Sequence, residues 1–93
     1  MTNVAELVGA SDGCEELCFH CPACDSKHHC RVTGVNPVLW NGSLTSPTVH
    51  PAVDVRSDGD RCHSLIRDGV IEFLSDSTHV MAGKRMLMPE VIA

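Results

Sequence analysis

The chain has 93 residues, 43 % of them apolar, yet it contains only two phenylalanines and one tryptophan. This length fits one domain, and so small a core usually needs support beyond apolar burial. The net charge of −5, with no basic run longer than Lys84-Arg85, argues against nucleic acid or an anionic membrane surface as the main partner.

No segment combines the basic and apolar regions of a signal peptide, and no apolar run reaches the ~20 residues of a membrane span. We therefore expect the chain to stay in a reducing cytoplasm, where structural disulfides are rare. Six cysteines in such a compartment favour metal binding.

Residues 1–17 are predicted to form an N-terminal arm or a short helix. Val4, Leu7 and Val8 follow helical spacing, and Asn3 could cap the helix. Residues 18–93 are predicted to form a zinc-binding β domain.

Strand and turn signals follow from residue 30 onward. "CRVTGV" alternates like a strand, and the prolines in "PTVHPAVDVR" indicate an edge strand or an irregular one. "SDGDR" at 57–61 is interpreted as a polar loop.

The clearest element is a hairpin over residues 62–75. Asp68-Gly69 is typical of a two-residue type I′ turn, which would place Arg67 opposite Val70 and Ile66 opposite Ile71. A loop and a last short strand in "RMLMP" complete the prediction of a small, mainly β, zinc-stabilised single domain.

The stretch "CFHCPACDSKHHC" contains four cysteines and three histidines. Cys21 and Cys24 form a CxxC knuckle, which can supply two of the four ligands of a tetrahedral Zn²⁺. The other ligands are expected from the region of the hairpin, and zinc would then tie the knuckle to that hairpin.

The preferred ligand set is Cys21, Cys24, Cys62 and His79. Adjacent strand residues point to opposite faces, so His63 would either replace Cys62 as a ligand or face a cleft. His28 lies four residues past Cys24 and could reach the same site.

Two other interpretations of the cysteines remain. The even count allows three disulfides, and the thiols could also be spectators, that is, free thiols with no ligand role. For Cys14, Cys18 and Cys30 the spectator interpretation is preferred. A redox role for the CxxC pair lacks the βαβ setting that such sites use.

A catalytic zinc with three protein ligands and one water is the alternative function. This small zinc-dependent hydrolase would use His63, His28 or Asp76 for proton transfer. No HExxH motif, zinc-deaminase signature or Ser-His-Asp spacing is present. A third reading, a nucleic-acid-associated zinc module, needs a local basic patch around Lys27, Arg31 and Arg56.

Residues 21–90 resemble a family of small phage and prophage proteins that are often labelled as ammonia monooxygenases. The blocks that carry the resemblance are "CPACDSKHH", "WNGSLTSPTVHPAV" and "RCHSLIRDGVIEFLSDSTHVMAGKRMLMPE". Val49-His50 stands where that family usually has an aromatic residue and a serine, and the N-terminal segment has no counterpart. The matching polar positions are Cys21, Cys24, His28, Cys62, His63, Asp76 and His79.

The resemblance implies a phage-encoded zinc protein rather than an oxygenase. The predicted function is therefore a non-catalytic structural or protein-binding module, either a virion component or a protein that engages a host protein. It would lie in the cytoplasm of the infected bacterial cell or in the virion, with a phage or host protein as its partner. Met81, Met86 and Met88 would suit an adaptable contact surface.

Overall fold

A computed structural model describes residues 2–91, which contain no helix, so the mainly β prediction is confirmed. Met1, Ile92 and Ala93, included in the predicted domain boundaries, lie outside the described residues. No helix long and apolar enough to cross a bilayer occurs among residues 2–91. The eight strands are β1 (Glu6–Gly9), β2 (Glu15–Cys21), β3 (Ser26–Arg31), β4 (Leu39–Trp40), β5 (Val49–Ser57), β6 (Asp60–Arg67), β7 (Val70–Phe73) and β8 (Arg85–Leu87).

The strands form two antiparallel sheets in which every strand pairs with its neighbour in sequence. Sheet A has the order β1-β2-β3, and sheet B has the order β4-β5-β6-β7-β8. Leu17 and Phe19 from sheet A share one buried cluster with Ile66, Ile71 and Phe73 from sheet B. The two sheets are therefore layers of a single small domain.

The short helix proposed for the N-terminal segment is wrong, because residues 6–9 form β1 and pair with β2. A pattern of six residues that ends at Gly9 is too short to offset the unfavourable free energy of helix nucleation. Pairing with β2 supplies backbone partners instead, and Leu7 lies opposite the fully buried Leu17. The predicted boundary between residues 17 and 18 falls inside β2.

The hairpin of β6 and β7 has the predicted register, with Arg67 opposite Val70 and Ile66 opposite Ile71. Asp68 and Gly69 adopt φ values of 49° and 78°, as a type I′ turn requires. Asp58-Gly59 makes an equivalent turn between β5 and β6. The polar-loop interpretation of residues 57–61 is therefore wrong, because the same dipeptide closes a second tight hairpin.

The prediction of an irregular strand at β5 is confirmed, since its pairing with β6 shifts between Val49 and Val53. On its other side β5 pairs with β4 only at Val49 and His50. The strand expected in "CRVTGV" begins earlier, at Ser26, and ends at Arg31. The last short strand is found as β8.

Candidate functional site

A group of three thiols and one imidazole lies between the two sheets. The ligand atoms of Cys21, Cys24, His28 and Cys62 are all within 4.8 Å of one another, and the group could hold a metal ion. Cys21 ends β2, Cys24 lies in the following turn and His28 is in β3, whereas Cys62 comes from β6. A bound ion would therefore join sheet A to sheet B.

The turn between β2 and β3 positions the first three ligands. Asp25 adopts a left-handed φ of 52°, and its N–H donates to the carbonyl oxygen of Cys21 at 2.8 Å. The chain then continues into β3, where Ser26 lies opposite Cys21 of β2. Two residues later, the buried His28 ring packs edge-on against Phe19, with 5.8 Å between ring centroids.

The sulfur geometry fits a metal and not a disulfide. The Sγ atoms of Cys21 and Cys62 are 3.8 Å apart, and all six cysteines are unpaired. A tetrahedral ion with Zn–S bonds near ~2.3 Å would hold two sulfurs about 3.8 Å apart. His28 Nε2 is buried without a hydrogen-bond partner among residues 2–91, as expected of a ring nitrogen whose partner is a metal.

The thiols differ in how readily they ionise. Burial alone would raise the pKa of Cys21, but the adjacent His28 imidazole and the backbone amides of Cys24 and Ala23 lower it to about 7. Burial and the neighbouring Cys21 raise the pKa of Cys62. Burial also raises the pKa of Cys24. Three adjacent thiolates would repel one another, so a cation is the natural partner of the fully ionised group.

Of the residues predicted as ligands, Cys21, Cys24 and Cys62 lie in this group, whereas His79 and His63 do not. His79 Nδ1 accepts a hydrogen bond from the Met81 amide at 3.2 Å. Its Nε2 is, like that of His28, buried without a hydrogen-bond partner among residues 2–91, but only His28 lies with the three thiols. The ligand set stays a prediction, with His28 as the imidazole that the geometry favours.

A second array lies on the face of β6 that is turned away from the core. His63 Nδ1 is 3.1 Å from both carboxylate oxygens of Asp76, and Arg61 Nη1 is 2.8 Å from Asp76 Oδ2. The hydrogen bond from His63 lowers the pKa of Asp76. An imidazole that donates Nδ1–H to a carboxylate presents Nε2 as a base.

Asp54 completes this array from the neighbouring strand. It lies directly opposite His63 and accepts two hydrogen bonds of 3.0 Å from Arg61. These bonds, with a smaller contribution from Arg56, lower the pKa of Asp54 to about 2. Functional roles for His63 and Asp76 were predicted from the sequence, but not for Arg61 and Asp54. Arg61 could have been found, because residues 61 and 63 of one strand lie on the same face.

The serines nearest to His63 in the fold have other roles. Ser77 Oγ accepts from the His63 N–H and donates to the His63 carbonyl oxygen, both at 3.0 Å. Ser64 is fully buried and points to the opposite face. No serine hydroxyl of residues 2–91 is hydrogen-bonded to a histidine ring, so any serine used with His63 must reach Nε2 when a substrate binds.

The remaining cysteines lie outside the metal-binding group. Cys18 Sγ is 3.8 Å from His29 Nε2, and burial raises the pKa of the Cys18 thiol. Burial raises the pKa of Cys30 to about 11. Both thiols stay protonated near neutral pH, in keeping with the spectator interpretation.

The comparison with protein families gives one match. A family model described as "Bacterial ubiquitination-like system serine protease (BubE)" matches residues 2–74. No curated protein and no solved structure matches the chain. The match begins at residue 2, so the N-terminal strands that lacked a counterpart in the phage resemblance are part of this family's domain.

This match overturns the predicted function. A non-catalytic phage structural or protein-binding module is wrong, because the family is described as a protease of a bacterial system. The model covers most of the chain, including the knuckle, β6 and β7. The chain therefore belongs to the BubE family of serine proteases of bacterial ubiquitination-like systems.

Proposed function

We propose that this protein is a peptidase of a bacterial ubiquitination-like system, with His63 as its general base. The observation that carries the proposal is the pair of 3.1 Å contacts between His63 Nδ1 and the two oxygens of Asp76. Arg61, 2.8 Å from the same carboxylate, holds Asp76 ionised and in place. The substrate class is a protein of that system, cleaved at a peptide bond.

The reaction would follow the course general to serine peptidases. His63 Nε2 accepts the serine proton while the serine oxygen bonds to the scissile carbonyl carbon. The imidazolium, stabilised by Asp76, then gives this proton to the leaving amine as the C–N bond breaks. Water hydrolyses the resulting ester by the same proton relay, which regenerates the serine hydroxyl.

Ser75 is the nucleophile to test first. It is exposed and directly precedes Asp76 in the turn that follows β7. Ser64 and Ser77 are buried, and Ser77 Oγ is already bonded to the backbone of His63.

We propose zinc as the ion of the Cys21, Cys24, His28 and Cys62 group, with a structural role. Three thiols and an imidazole are a donor set that zinc prefers, and four protein ligands leave no position for a catalytic water. The ion would hold β6, and with it Arg61 and His63, against sheet A. Zinc removal would then disturb the catalytic array without any step passing through the metal.

The experiment is labelling with a fluorophosphonate probe, which reacts with activated serines and requires no knowledge of the substrate. We expect the wild type to be labelled at one serine, identified by peptide mass spectrometry among the eight in the chain. His63→Ala should abolish labelling, whereas His50→Ala, a change of an exposed histidine outside the array, should not. Absence of labelling in folded, zinc-loaded wild type would overturn the peptidase proposal.

The partner proposed is accordingly a protein, and the location proposed is the bacterial cytoplasm. The carboxylates and arginines around His63 are arranged in pairs and form no basic surface. Nucleic acid is thus not proposed as a partner.

A further inference from the structure

The outer edge of β5 is unpaired over the second half of the strand. β5 is nine residues long, but β4 pairs only with Val49 and His50 on that side. From Val53 to Ser57 the strand pairs on one side alone, with β6. Among residues 2–91 this stretch is therefore an open strand edge that can accept another strand.

The bonds of β6 show which backbone groups of β5 face outward. The N–H and C=O groups of Arg61 and His63 bond to residues 74–78, on the side of β6 away from β5. Antiparallel partners turn their backbone groups the same way, either toward each other or apart. The groups of Arg56 and Asp54, which lie opposite Arg61 and His63, therefore point away from the sheet. No group among residues 2–91 bonds them.

A second copy of the same edge fits this backbone pattern in a small set of registers. In an antiparallel pair the outward groups of one strand must meet the outward groups of the other. A two-fold axis can therefore pass through Asp54, Val55 or Arg56, but not between two residues. With the axis at Val55, Asp54 of each copy lies opposite Arg56 of the other, and their outward groups form four hydrogen bonds.

The side chains distinguish these registers by charge. Charged residues on an edge strand usually discourage pairing. An axis at Asp54 would set two carboxylates against each other, and an axis at Arg56 would set two guanidinium groups against each other and Asp54 against Asp58. Only the axis at Val55 gives two pairs of opposite charge. The order Asp54-Val55-Arg56 is thus complementary to itself in both backbone and charge.

We propose that the chain forms a two-fold dimer through the open edge of β5, with Val55 of the two copies facing each other on the axis. Val55 is half-buried on the inner side of the sheet, and the contact would cover more of its apolar surface. Two five-stranded sheets would join into one sheet of ten strands, with both His63 side chains on the same face. Arg56 of the second copy would lie beside Asp54, so the interface borders the His63 array. The inference does not rest on the proposed function, because no catalytic step enters it.

The test combines sedimentation equilibrium with NMR on the zinc-loaded chain. The sedimenting mass should rise with concentration from that of one chain toward that of two. In a mixture of ¹³C-labelled and unlabelled chains, isotope-filtered spectra should show a contact between the Val55 Hα atoms of the two copies, since the Cα atoms of such a pair lie about 4.5 Å apart. The mass of one chain at every concentration up to that of the NMR sample would overturn the proposal. Contacts between copies at another edge or in another register would also overturn it.

Two variants of Arg56 test the charge pairing. The side chain is exposed, so Arg56→Glu and Arg56→Lys should both keep the zinc content and the wild-type circular dichroism. Arg56→Glu sets acidic side chains against each other at both ends of the interface, whereas Arg56→Lys keeps the positive charge. We expect the dimer Kd of Arg56→Glu to be at least about tenfold higher than that of Arg56→Lys. Equal dissociation constants would overturn the register centred on Val55.

Discussion

Cys21 and Cys62 are 41 residues apart in sequence, yet their sulfur atoms lie 3.8 Å from each other. One ends the second strand of sheet A, and the other is buried in β6 of sheet B. The contact is buried, and neither sulfur belongs to a disulfide. A metal ion shared by the two residues would close a long loop and stabilise the folded chain against the unfolded one.

Cys24→Ala is therefore expected to remove the metal and a large part of the stability. Loss of a structural ion should cost at least ~2 kcal/mol in the free energy of unfolding, which lowers Tm by about 8–16 °C in a domain of this size. Elemental mass spectrometry and thermal unfolding are the measurements. Cys14→Ala, which changes a half-buried thiol outside the group, should keep the metal and the Tm.

Asp76→Asn should leave the fold intact and lower kcat of peptide cleavage by about 10²–10⁴-fold, because the amide no longer fixes the tautomer of His63 or stabilises its charged form. The kinetics of peptide cleavage provide the measurement. Asp68→Asn, in the remote turn of β6 and β7, is the matched change and should be neutral, since asparagine also suits its φ of 49°. Equal kcat values in the two variants would show that Asp76 takes no part in catalysis.

Asp54 should titrate in the folded protein with a pKa of about 2, because Arg61 and Arg56 stabilise its ionised form. An unfolded aspartate titrates near ~3.9. The lower folded value means that Asp54 contributes stability above pH ~4 and loses that contribution as the pH falls toward 2. Carboxyl ¹³C shifts followed by NMR should show this midpoint. Arg61→Gln should raise it toward the ordinary value, and an unmoved midpoint would contradict the assigned cause.

Gly69→Ala and Gly59→Ala should each destabilise the domain by about 1–2 kcal/mol. Both glycines have positive φ, 78° and 86°, a backbone conformation in which alanine is strained. A Cβ at Gly69 would make only an ordinary contact, 3.4 Å from the Ser46 Cα, and a Cβ at Gly59 meets no atom within 4 Å, so backbone strain is the shared cause. Urea unfolding measures the two losses, and an unchanged stability in either variant would contradict the strain.

Ser64→Ala should keep the stability unchanged or raise it by up to ~1 kcal/mol, because the Ser64 hydroxyl is fully buried without a partner among residues 2–91. Ser77→Ala is the contrasting change. It deletes two 3.0 Å hydrogen bonds to the backbone of His63 and should cost about 1–3 kcal/mol. Chemical unfolding distinguishes the two, and a large loss at Ser64 would reveal a partner such as ordered water.

Local chemistry made some elements predictable from the sequence. Asp68-Gly69 between two apolar runs was enough to give the register of β6 and β7, since the turn type fixes the pairing. Asp58-Gly59 carries the same information. Its flanking residues, Arg56-Ser57 and Asp60-Arg61, are polar, however, so the apolar pattern that identifies strands is missing at the ends of β5 and β6. β1 could not be recognised from its own residues, because its strand state depends on pairing with β2.

The candidate site was predictable in its residue types and not in its three-dimensional grouping. The knuckle and Cys62 follow from ligand chemistry and spacing. The choice between His28 and His79 depends on which imidazole the fold brings to the three thiols, and only His28 lies with them. The pairing of Asp54 with Arg61 depends on the β5–β6 register, and that register follows from the turn that was missed.

The strand order of the two sheets also determines how the chain can fold. Every strand pairs with the strand next to it in sequence, so each sheet can form from contacts of short range, which favour fast folding. Distant parts of the chain meet chiefly where the sheets dock, at the buried cluster and at the Cys21–Cys62 contact. Docking is therefore the step at which metal availability would act. A cell short of the ion would accumulate chains with formed hairpins and undocked sheets.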